Sequence, residues 1–368
     1  MHYVFNKKFT YAKCLKVTPT IWNAYNRLKI CYLKPIYITN VLLDFQKGDG
    51  QMKNAILCII LAFILIIGAF FWYIYSTNTN KYNSSQHNGN LKVVTTTTMI
   101  TDLVNILGKD VLKVDGLMGS GVDPHLYQAT ERDVKKLQEA NVIFYNGLHL
   151  EGKMSDLFEE MSKLNIPTYA VTDAISTSKL LTAEESYGKN FDPHIWSDVQ
   201  LWKEVVEFVK EKLIALDPLN GEVYAKNASL YLKELDYLQE YINSRLLEVP
   251  QNQRILITAH DAFAYFGNAY GFTVLGLQGI STETEAGILD VKNLAEFITQ
   301  HKVSAIFIET SVQTRHIEAL QEAVLSRGFN VKIGGKLFSD SLGDPDEAEG
   351  TYIGMVKHNV DTIVDALK

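Results

Sequence analysis

The stretch Phe191-Asp192-Pro193-His194-Ile195-Trp196 holds one histidine directly after a proline turn, with an aromatic residue two positions later. A near-copy, Val122-Asp123-Pro124-His125-Leu126-Tyr127, stands earlier in the chain. Proline fixes its own φ and pushes the residue before it towards extended geometry, so each histidine follows a restrained backbone. Two histidines in the same local frame indicate one shared target. We expect a divalent metal ion held between two halves of a folded domain.

The composition is that of an ordinary globular protein, and the length of 368 residues leaves room for two compact lobes. A net charge of −7 and the lack of a Lys/Arg-rich run with interleaved aromatic residues argue against a nucleic-acid binder. All three cysteines, Cys14, Cys31 and Cys58, precede residue 59. A metal site in the rest of the chain must therefore use histidine and carboxylate ligands.

The N-terminal region predicts a membrane anchor. Residues 1–51 show no sustained period, and we interpret them as an upstream extension that makes Met52 the natural start, or else as a cytoplasmic tail. Residues 52–75 contain an almost unbroken apolar run, long enough for a transmembrane helix. No small-x-small cleavage site follows it, and Cys58 stands near the start of the run, not after it as in a bacterial lipoprotein. We predict an uncleaved signal anchor followed by a flexible tether, residues 76–90.

Residues 91–197 alternate strand and helix patterns and predict an α/β lobe. The β-branched residues 91–98 predict a strand, and Thr101 and Asp102 are expected to cap the helix that follows. The two Asp-Pro-His turns fall where strand-end loops should lie, which is the usual place of binding sites in open α/β sheets.

Residues 198–250 form a helical connection. The first stretch, residues 198–217, is amphipathic. Apolar residues then recur at helical spacing from 221 to 249. A continuous helix there would be ~45 Å long at about 1.5 Å per residue, which predicts a rod that spans two lobes.

Residues 251–368 repeat the pattern of the first lobe. Three segments match in order: 113–119 with 273–279, 133–137 with 290–294, and 141–145 with 304–308. The predicted fold class is therefore α/β, with two similar α/β lobes joined by one long helix and a metal bound in the cleft between the lobes.

Two further candidate ligands stand at predicted strand ends of the second lobe, His260 and Asp340. With His125 and His194 they give three imidazoles and one carboxylate, a donor set that suits Zn²⁺, Mn²⁺ and Fe²⁺. Each ring should have its second N–H fixed by an acceptor. The candidate acceptors are Asp123, Asp192, Asp261 and Glu309. His149 also follows a strand end, and a structural or supporting role is predicted for it.

At these residues the chain resembles the metal-binding solute-binding proteins of ABC importers, in particular the TroA-like zinc and manganese group. The resemblance covers about residues 91–368 and is carried by five motifs: 121–127 (GVDPHLY), 145–151 (YNGLHLE), 191–196 (FDPHIW), 258–263 (TAHDAF) and 338–340 (FSD). It implies metal ligands at His125, His194, His260 and Asp340, and one divalent ion per chain as cargo. It also implies a monomer on the extracytoplasmic face of a bacterial membrane or in the periplasm, with an ABC permease and its ATPase as partners.

Two departures leave the metal open between Zn²⁺ and Mn²⁺. Zinc-dedicated members often carry a His-rich acidic loop before the second histidine, and residues 181–190 contain no histidine. Manganese-dedicated members often have glutamate at the position of His260. Two other functions stay open as alternatives, a zinc hydrolase and a surface adhesin with a structural metal. The chain has no His-Glu-x-x-His helix and no assigned general base, and Asp340 would fill the fourth metal position, so we expect a binding protein and not an enzyme.

Overall fold

The computed structural model describes residues 61–70, 72, 90–182 and 191–368. The chain divides into two compact units, residues 1–86 and residues 87–368. In the first unit, residues 61–70 and 72 are helical and their side chains are exposed.

The membrane anchor predicted for residues 52–75 therefore falls mostly outside the described residues. The predicted extension, residues 1–51, lies outside them entirely, and so does the predicted tether apart from Asn90. Within the described part of the chain, no helix is both long and apolar enough to cross a bilayer.

A four-stranded parallel sheet begins the second unit. Its strands have the spatial order β2-β1-β3-β4, with bounds β1 (Leu91–Thr95), β2 (Leu112–Gly116), β3 (Val142–Tyr145) and β4 (Thr168–Ala170). The helices between them are α1 (Thr98–Gly108), α2 (Glu131–Gln138) and α3 (Ser155–Lys163). Parallel strands need such crossovers, so the alternation seen in the sequence becomes the sheet itself. We call residues 90–197 the N-terminal part.

Two long helices follow, α4 (Val199–Leu216) and α5 (Gly221–Leu246). Asp198 caps α4, because its side chain accepts a hydrogen bond from the backbone N–H of Gln200 at 2.8 Å. Helix α5 has 26 residues and so is about 39 Å long. It packs along α4 and also contacts α1 and the last helix, α9 (Tyr352–Leu367).

The remaining strands form two parallel pairs, β5 with β6 and β7 with β8, and β5 lies beside β7. The strands are β5 (Ile255–His260), β6 (Thr273–Gln278), β7 (Ala305–Glu309) and β8 (Lys332–Leu337). The helices packed with them are α6 (Ala264–Tyr270), α7 (Ile288–His301), α8 (Arg315–Leu325) and α9. We call residues 251–368 the C-terminal part.

The element order of the C-terminal part repeats that of the N-terminal part, as the matching segments predict. The pairing of β1 with β2 recurs as that of β5 with β6, and both pairs are parallel. The helix starts also match. Asp133 accepts a hydrogen bond from the N–H of Thr130 at 2.9 Å, and Asp290 accepts one from the N–H of Gly287 at 2.8 Å. The α/β class is confirmed.

The core ties the second Asp-Pro-His turn to the helices α4 and α9. Trp202 of α4 stacks on Tyr352 of α9 with ring centroids 4.9 Å apart, and both side chains are fully buried. The hydroxyl of Tyr352 then donates to the carbonyl of Trp196 at 2.8 Å. Burial of each large side chain contributes roughly 2–3 kcal/mol, so this stack holds the second Asp-Pro-His turn against a stable base.

Candidate metal centre

The structure brings the four predicted ligands together at one point. His125 lies in the loop after β2, His194 precedes a short 3₁₀ turn, His260 ends β5, and Asp340 follows β8. One ligand atom from each residue lies within 4.8 Å of the others. All four are buried, with 3% of His125, none of His194 or His260 and 1% of Asp340 exposed.

The spacing of the ligand atoms fits a small cation. Nε2 of His125 lies 3.3 Å from Nε2 of His194, which lies 3.5 Å from Oδ1 of Asp340. Nε2 of His260 lies 3.3 Å from Oδ2 of Asp340. Tetrahedral ligands about 2.0–2.1 Å from Zn²⁺ would stand about 3.3 Å from one another, and these three separations are close to that value.

Two ligand atoms in this cluster lack hydrogen-bond partners among the described residues. They are Nε2 of His260 and Oδ1 of Asp340, both fully buried. The 3.3 Å approach of His260 to Asp340 is an ion-pair distance without the direction of a hydrogen bond. A buried polar atom without a partner costs about 1–3 kcal/mol, and a cation at the centre would satisfy both atoms at once.

Carboxylates fix two of the three rings from behind. The ring Nδ1–H of His194 donates to Oδ1 of Asp192 at 2.8 Å, and that of His260 donates to Oε2 of Glu309 at 2.6 Å. Oε1 of Glu309 also accepts the backbone N–H of His260 at 2.9 Å. Each of these rings therefore directs its Nε2 towards the centre, which is the orientation that metal ligation needs.

The other two predicted acceptors have different positions. Oδ1 of Asp123 accepts the backbone N–H of His125 at 2.9 Å and not a ring N–H. Its Oδ2 accepts the hydroxyl of Thr282 at 2.6 Å. Asp261 follows β5 and donates its backbone N–H to the carbonyl of Gly279 at 3.3 Å.

Burial and neighbouring charges shift the pKa values of His125, Asp340 and His260. Burial lowers the pKa of His125 to about 3, so this ring is neutral at ordinary pH. Burial tends to raise the pKa of Asp340, but the nearby histidines, above all His260, outweigh it and hold the pKa well below its usual value. Burial tends to lower the pKa of His260, and Glu309 and Asp340 together raise it well above its usual value. A metal that binds at Nε2 of His260 competes with a proton for that atom.

His149 does not join the site. Its side chain is exposed, its backbone has φ of +64°, and it lines a separate cavity of about 530 Å³. Two residues further on, the buried Glu151 accepts hydrogen bonds from the Thr96 hydroxyl at 2.6 Å and the Asn146 N–H at 2.7 Å. This stretch therefore holds the loop after β3 in place.

Sequence reasoning missed three residues that support the site. The side chain of Asn146 donates to the carbonyl of Pro193 at 3.0 Å, and the indole N–H of Trp196 donates to the carbonyl of Ser339 at 2.7 Å. Both contacts fix a ligand turn from a distant element. The aromatic residue two places after the histidine was the available signal for Trp196, whereas nothing local marks Thr282.

The chain is similar to characterised metal-binding proteins. Residues 93–366 match the family described as zinc-uptake complex component A, periplasmic. The zinc-binding protein TroA of Treponema pallidum is 48% identical over 275 residues, which covers 75% of this chain and 88% of that protein. The manganese-binding lipoprotein MntA of Bacillus subtilis is 44% identical over 278 residues, covering 76% and 90%. The solved structure of Treponema pallidum TroA superimposes with a TM-score of 0.73 and covers 76% of this chain and 99% of that one.

Proposed function

The chain belongs to the family of the periplasmic zinc-uptake complex component A, and on this premise we propose that it captures a divalent metal ion outside the cytoplasm for import. The cargo is one Zn²⁺ or Mn²⁺ ion per chain, and Fe²⁺ suits the same donors. An ABC permease with its ATPase receives the ion. The observation that carries the proposal is the buried cluster of three imidazoles and one carboxylate at metal-ligand spacing.

A binding role fits this geometry better than catalysis does. A catalytic zinc site keeps one coordination position open for water or substrate, whereas structural and carrier sites are closed by protein ligands. Here four protein ligands surround the centre, and none has more than 3% of its surface exposed. This closed arrangement supports a carrier over a zinc hydrolase.

We further propose that residues 91–197 and 251–368 act as two lobes, joined by residues 198–250 with α5 as the connecting rod. Each lobe would then supply two ligands, His125 and His194 from the first and His260 and Asp340 from the second. A stiff helix resists large hinge motion, so closure over the ion would be a small displacement at the cleft.

For the N-terminal region we propose that residues 52–75 anchor the protein at the extracytoplasmic face of the membrane. The relative MntA is named as a lipoprotein, which supports attachment to a membrane near the permease. In this chain the long apolar run would do the same work as an uncleaved signal anchor, with Met52 as the start. We propose a monomer, because each chain supplies all four ligands by itself.

The donor set bears on which metal is carried. Intrinsic affinity at nitrogen and oxygen sites favours Zn²⁺ over Mn²⁺. Asp340 has one oxygen near His194 and the other near His260, so both oxygens face the centre. Bidentate binding by Asp340 would give a fifth contact that Mn²⁺ accepts. We therefore expect tight Zn²⁺ binding and weaker, still specific Mn²⁺ binding.

Competitive metal titration of the metal-stripped full-length chain, followed by elemental analysis, tests the proposal. The wild type should bind one divalent ion per chain. His194→Ala should lose this binding, whereas the matched variant His149→Ala, which removes an exposed histidine outside the cluster, should retain it. A wild type without stoichiometric binding, or a His194→Ala variant that binds as the wild type does, would contradict the proposal.

A further inference from the structure

The loop that carries His125 is fastened to the C-terminal part by two side-chain hydrogen bonds. The backbone N–H of Gly121 donates to Oγ of Ser341 at 2.9 Å. Two residues further along, Asp123 accepts the hydroxyl of Thr282 at 2.6 Å. The position of this loop therefore depends on two side chains from distant loops of the C-terminal part.

Asp123 serves as a bridge between the ligand and the other part of the protein. One of its oxygens accepts the backbone N–H of His125 at 2.9 Å, and the other accepts the Thr282 hydroxyl. Any displacement of Thr282 is thus passed through a single carboxylate to the backbone of a metal ligand.

The Thr282 bond is the stronger of the two fastenings. A hydroxyl that donates to an ionised carboxylate forms a charge-assisted bond, about twice as strong as a neutral one, and such bonds are short. The Ser341 bond joins two neutral groups and holds Gly121, four residues before His125. We therefore expect the Thr282 bond to govern the mobility of the ligand itself.

Thr282 lies in the loop between β6 and α7, and its side chain is 8% exposed although its neighbours Glu283 and Thr284 are exposed. A buried hydroxyl in an otherwise exposed loop has a specific partner to bind, and here that partner is Asp123. The same loop makes a second, exposed contact with the N-terminal part, an ion pair of Glu283 with Lys153 at 3.7 Å. Exposed pairs of this kind contribute little, which leaves Thr282 as the main attachment of the loop.

We propose that Thr282 is a positioning residue that sets how long the bound metal stays in the site. This inference rests on the proposed metal-binding function. When the Thr282 bond breaks, the His125 loop can move away, and the ion loses one of its four protein ligands. Differences in affinity among variants of one binding site arise mostly from dissociation rates, so the effect should appear in metal release and not in capture.

The test is chelator-triggered release of Zn²⁺ from the loaded full-length chain. Thr282→Val keeps the side-chain shape without the hydroxyl and should release the ion roughly tenfold faster, the effect expected from losing one bond to a charged group. Thr282→Ser keeps the hydroxyl, and Thr284→Val makes the same exchange at an exposed position of the same loop. Both should stay within about twofold of the wild type. Release from Thr282→Val at the wild-type rate, or equally fast release from Thr282→Ser, overturns the proposal.

A second measurement needs no metal and separates this inference from the proposed function. In the metal-free chain, amide hydrogen exchange of residues 119–126 should be faster in Thr282→Val than in the wild type or Thr284→Val. The reason is that the N–H of His125 donates to Asp123, which is itself held by the Thr282 hydroxyl. Unchanged exchange overturns the role of Thr282 even if the wild type binds metal. If the wild type binds no metal but exchange is faster in Thr282→Val, the proposed function is wrong and the attachment of the loop by Thr282 still holds.

Discussion

The two Asp-Pro-His turns share one backbone frame and differ in what holds their rings. In both, the aspartate Oδ1 accepts the backbone N–H of the histidine two residues later, at 2.9 Å for His125 and 2.8 Å for His194. In the second turn, the same Asp192 oxygen also accepts the ring Nδ1–H of His194. In the first turn, the free oxygen of Asp123 accepts Thr282, and no described residue accepts a hydrogen bond from Nδ1 of His125.

This difference shows how far a repeated tripeptide determines structure. The Asp-Pro-His sequence fixes the backbone turn, because the aspartate, the proline and the histidine N–H that the aspartate accepts lie within three consecutive residues. The orientation of the ring depends on whether the aspartate also accepts the ring Nδ1–H, as Asp192 does for His194. The second turn therefore orients its ring with its own aspartate, whereas Asp123 of the first turn is bonded to Thr282 in a loop of the C-terminal part.

The largest expected effect tests whether the two turns are equivalent in ligation. We expect His125→Ala and His194→Ala each to weaken Zn²⁺ binding by more than about 100-fold, because the loss of a supporting residue alone weakens metal binding by roughly 10–100-fold. Competition with a chelator of known affinity measures both. If one variant bound as tightly as the wild type, that turn would not supply a ligand and the pairing of the two turns would be wrong.

The next effect should separate the two turns. Asp192→Ala frees the ring of His194 and should weaken Zn²⁺ binding by roughly 10–100-fold, as for other carboxylates that hold a metal-binding imidazole. Asp123→Ala leaves the His125 ring contacts unchanged and should have the smaller effect, about tenfold, through faster release. The same chelator competition gives both values, and circular dichroism serves as the control for folding. Equal losses, or a larger loss for Asp123→Ala, would contradict the structural distinction between the turns.

A smaller effect should appear where the second turn meets the C-terminal part. The hydroxyl of Tyr265 donates to the carbonyl of Asp192 at 2.9 Å and accepts the N–H of Leu181 at 3.1 Å. Tyr265→Phe should lower the unfolding free energy by about 1 kcal/mol, because it leaves buried backbone groups without a partner. Metal affinity should stay within about twofold, since the carboxylate that orients the ring is not touched. Urea unfolding measures the stability, and Zn²⁺ titration measures the affinity. Loss of affinity without loss of stability would mean that the second turn, like the first, is positioned by a residue of the C-terminal part.

Much of the fold and of the site can be predicted from the sequence, because these features depend on residues that are close together in the chain. Strand and helix periods predict the α/β alternation, and Asp133 stands three residues after Thr130 as a helix start requires. The proposed ligands His260 and Asp340 lie just at or after strand ends, so the parallel topology alone brings them to one edge. The contacts that sequence reasoning missed join residues far apart in the chain. Thr282 and Asp123 are separated by 159 positions, and no local pattern marks such a pair.

The start of α1 shows the same limit. The sequence predicts a strand over residues 91–98; β1 begins at Leu91 as predicted, but it ends at Thr95 and α1 begins at Thr98, so the predicted end of the strand is wrong. The hydroxyl of Thr101 donates to the carbonyl of Thr97 at 2.9 Å, which is compatible with the first turn of a helix. Asp102 does not cap its own helix; it accepts the N–H of Tyr352 at the start of α9, at 2.9 Å. Its partner could be found only in the folded structure.

The last prediction concerns Asp102, a carboxylate outside the two turns that can be compared with theirs. Burial raises the pKa of Asp102 from 3.8 to about 6, against the opposing hydrogen bond from Tyr352. Between these two values the folded chain binds more protons than the unfolded chain, so this group's contribution to stability is complete below about pH 4 and is lost as the pH rises through 6. In Asp102→Asn the amide cannot ionise and still offers an oxygen to Tyr352.

The unfolding free energy of the metal-free variant relative to wild type should therefore rise by about 1 kcal/mol between pH 4 and pH 7. This is less than the full effect of the pKa difference between the folded and unfolded chain, because the side chain is partly exposed. Urea unfolding at both pH values measures this, and Zn²⁺ affinity should not change, because Asp102 fastens α9 and touches no ligand. A pH-independent difference would mean that Asp102 titrates normally, and altered affinity would mean that the metal site depends on a wider set of carboxylates than those beside its histidines.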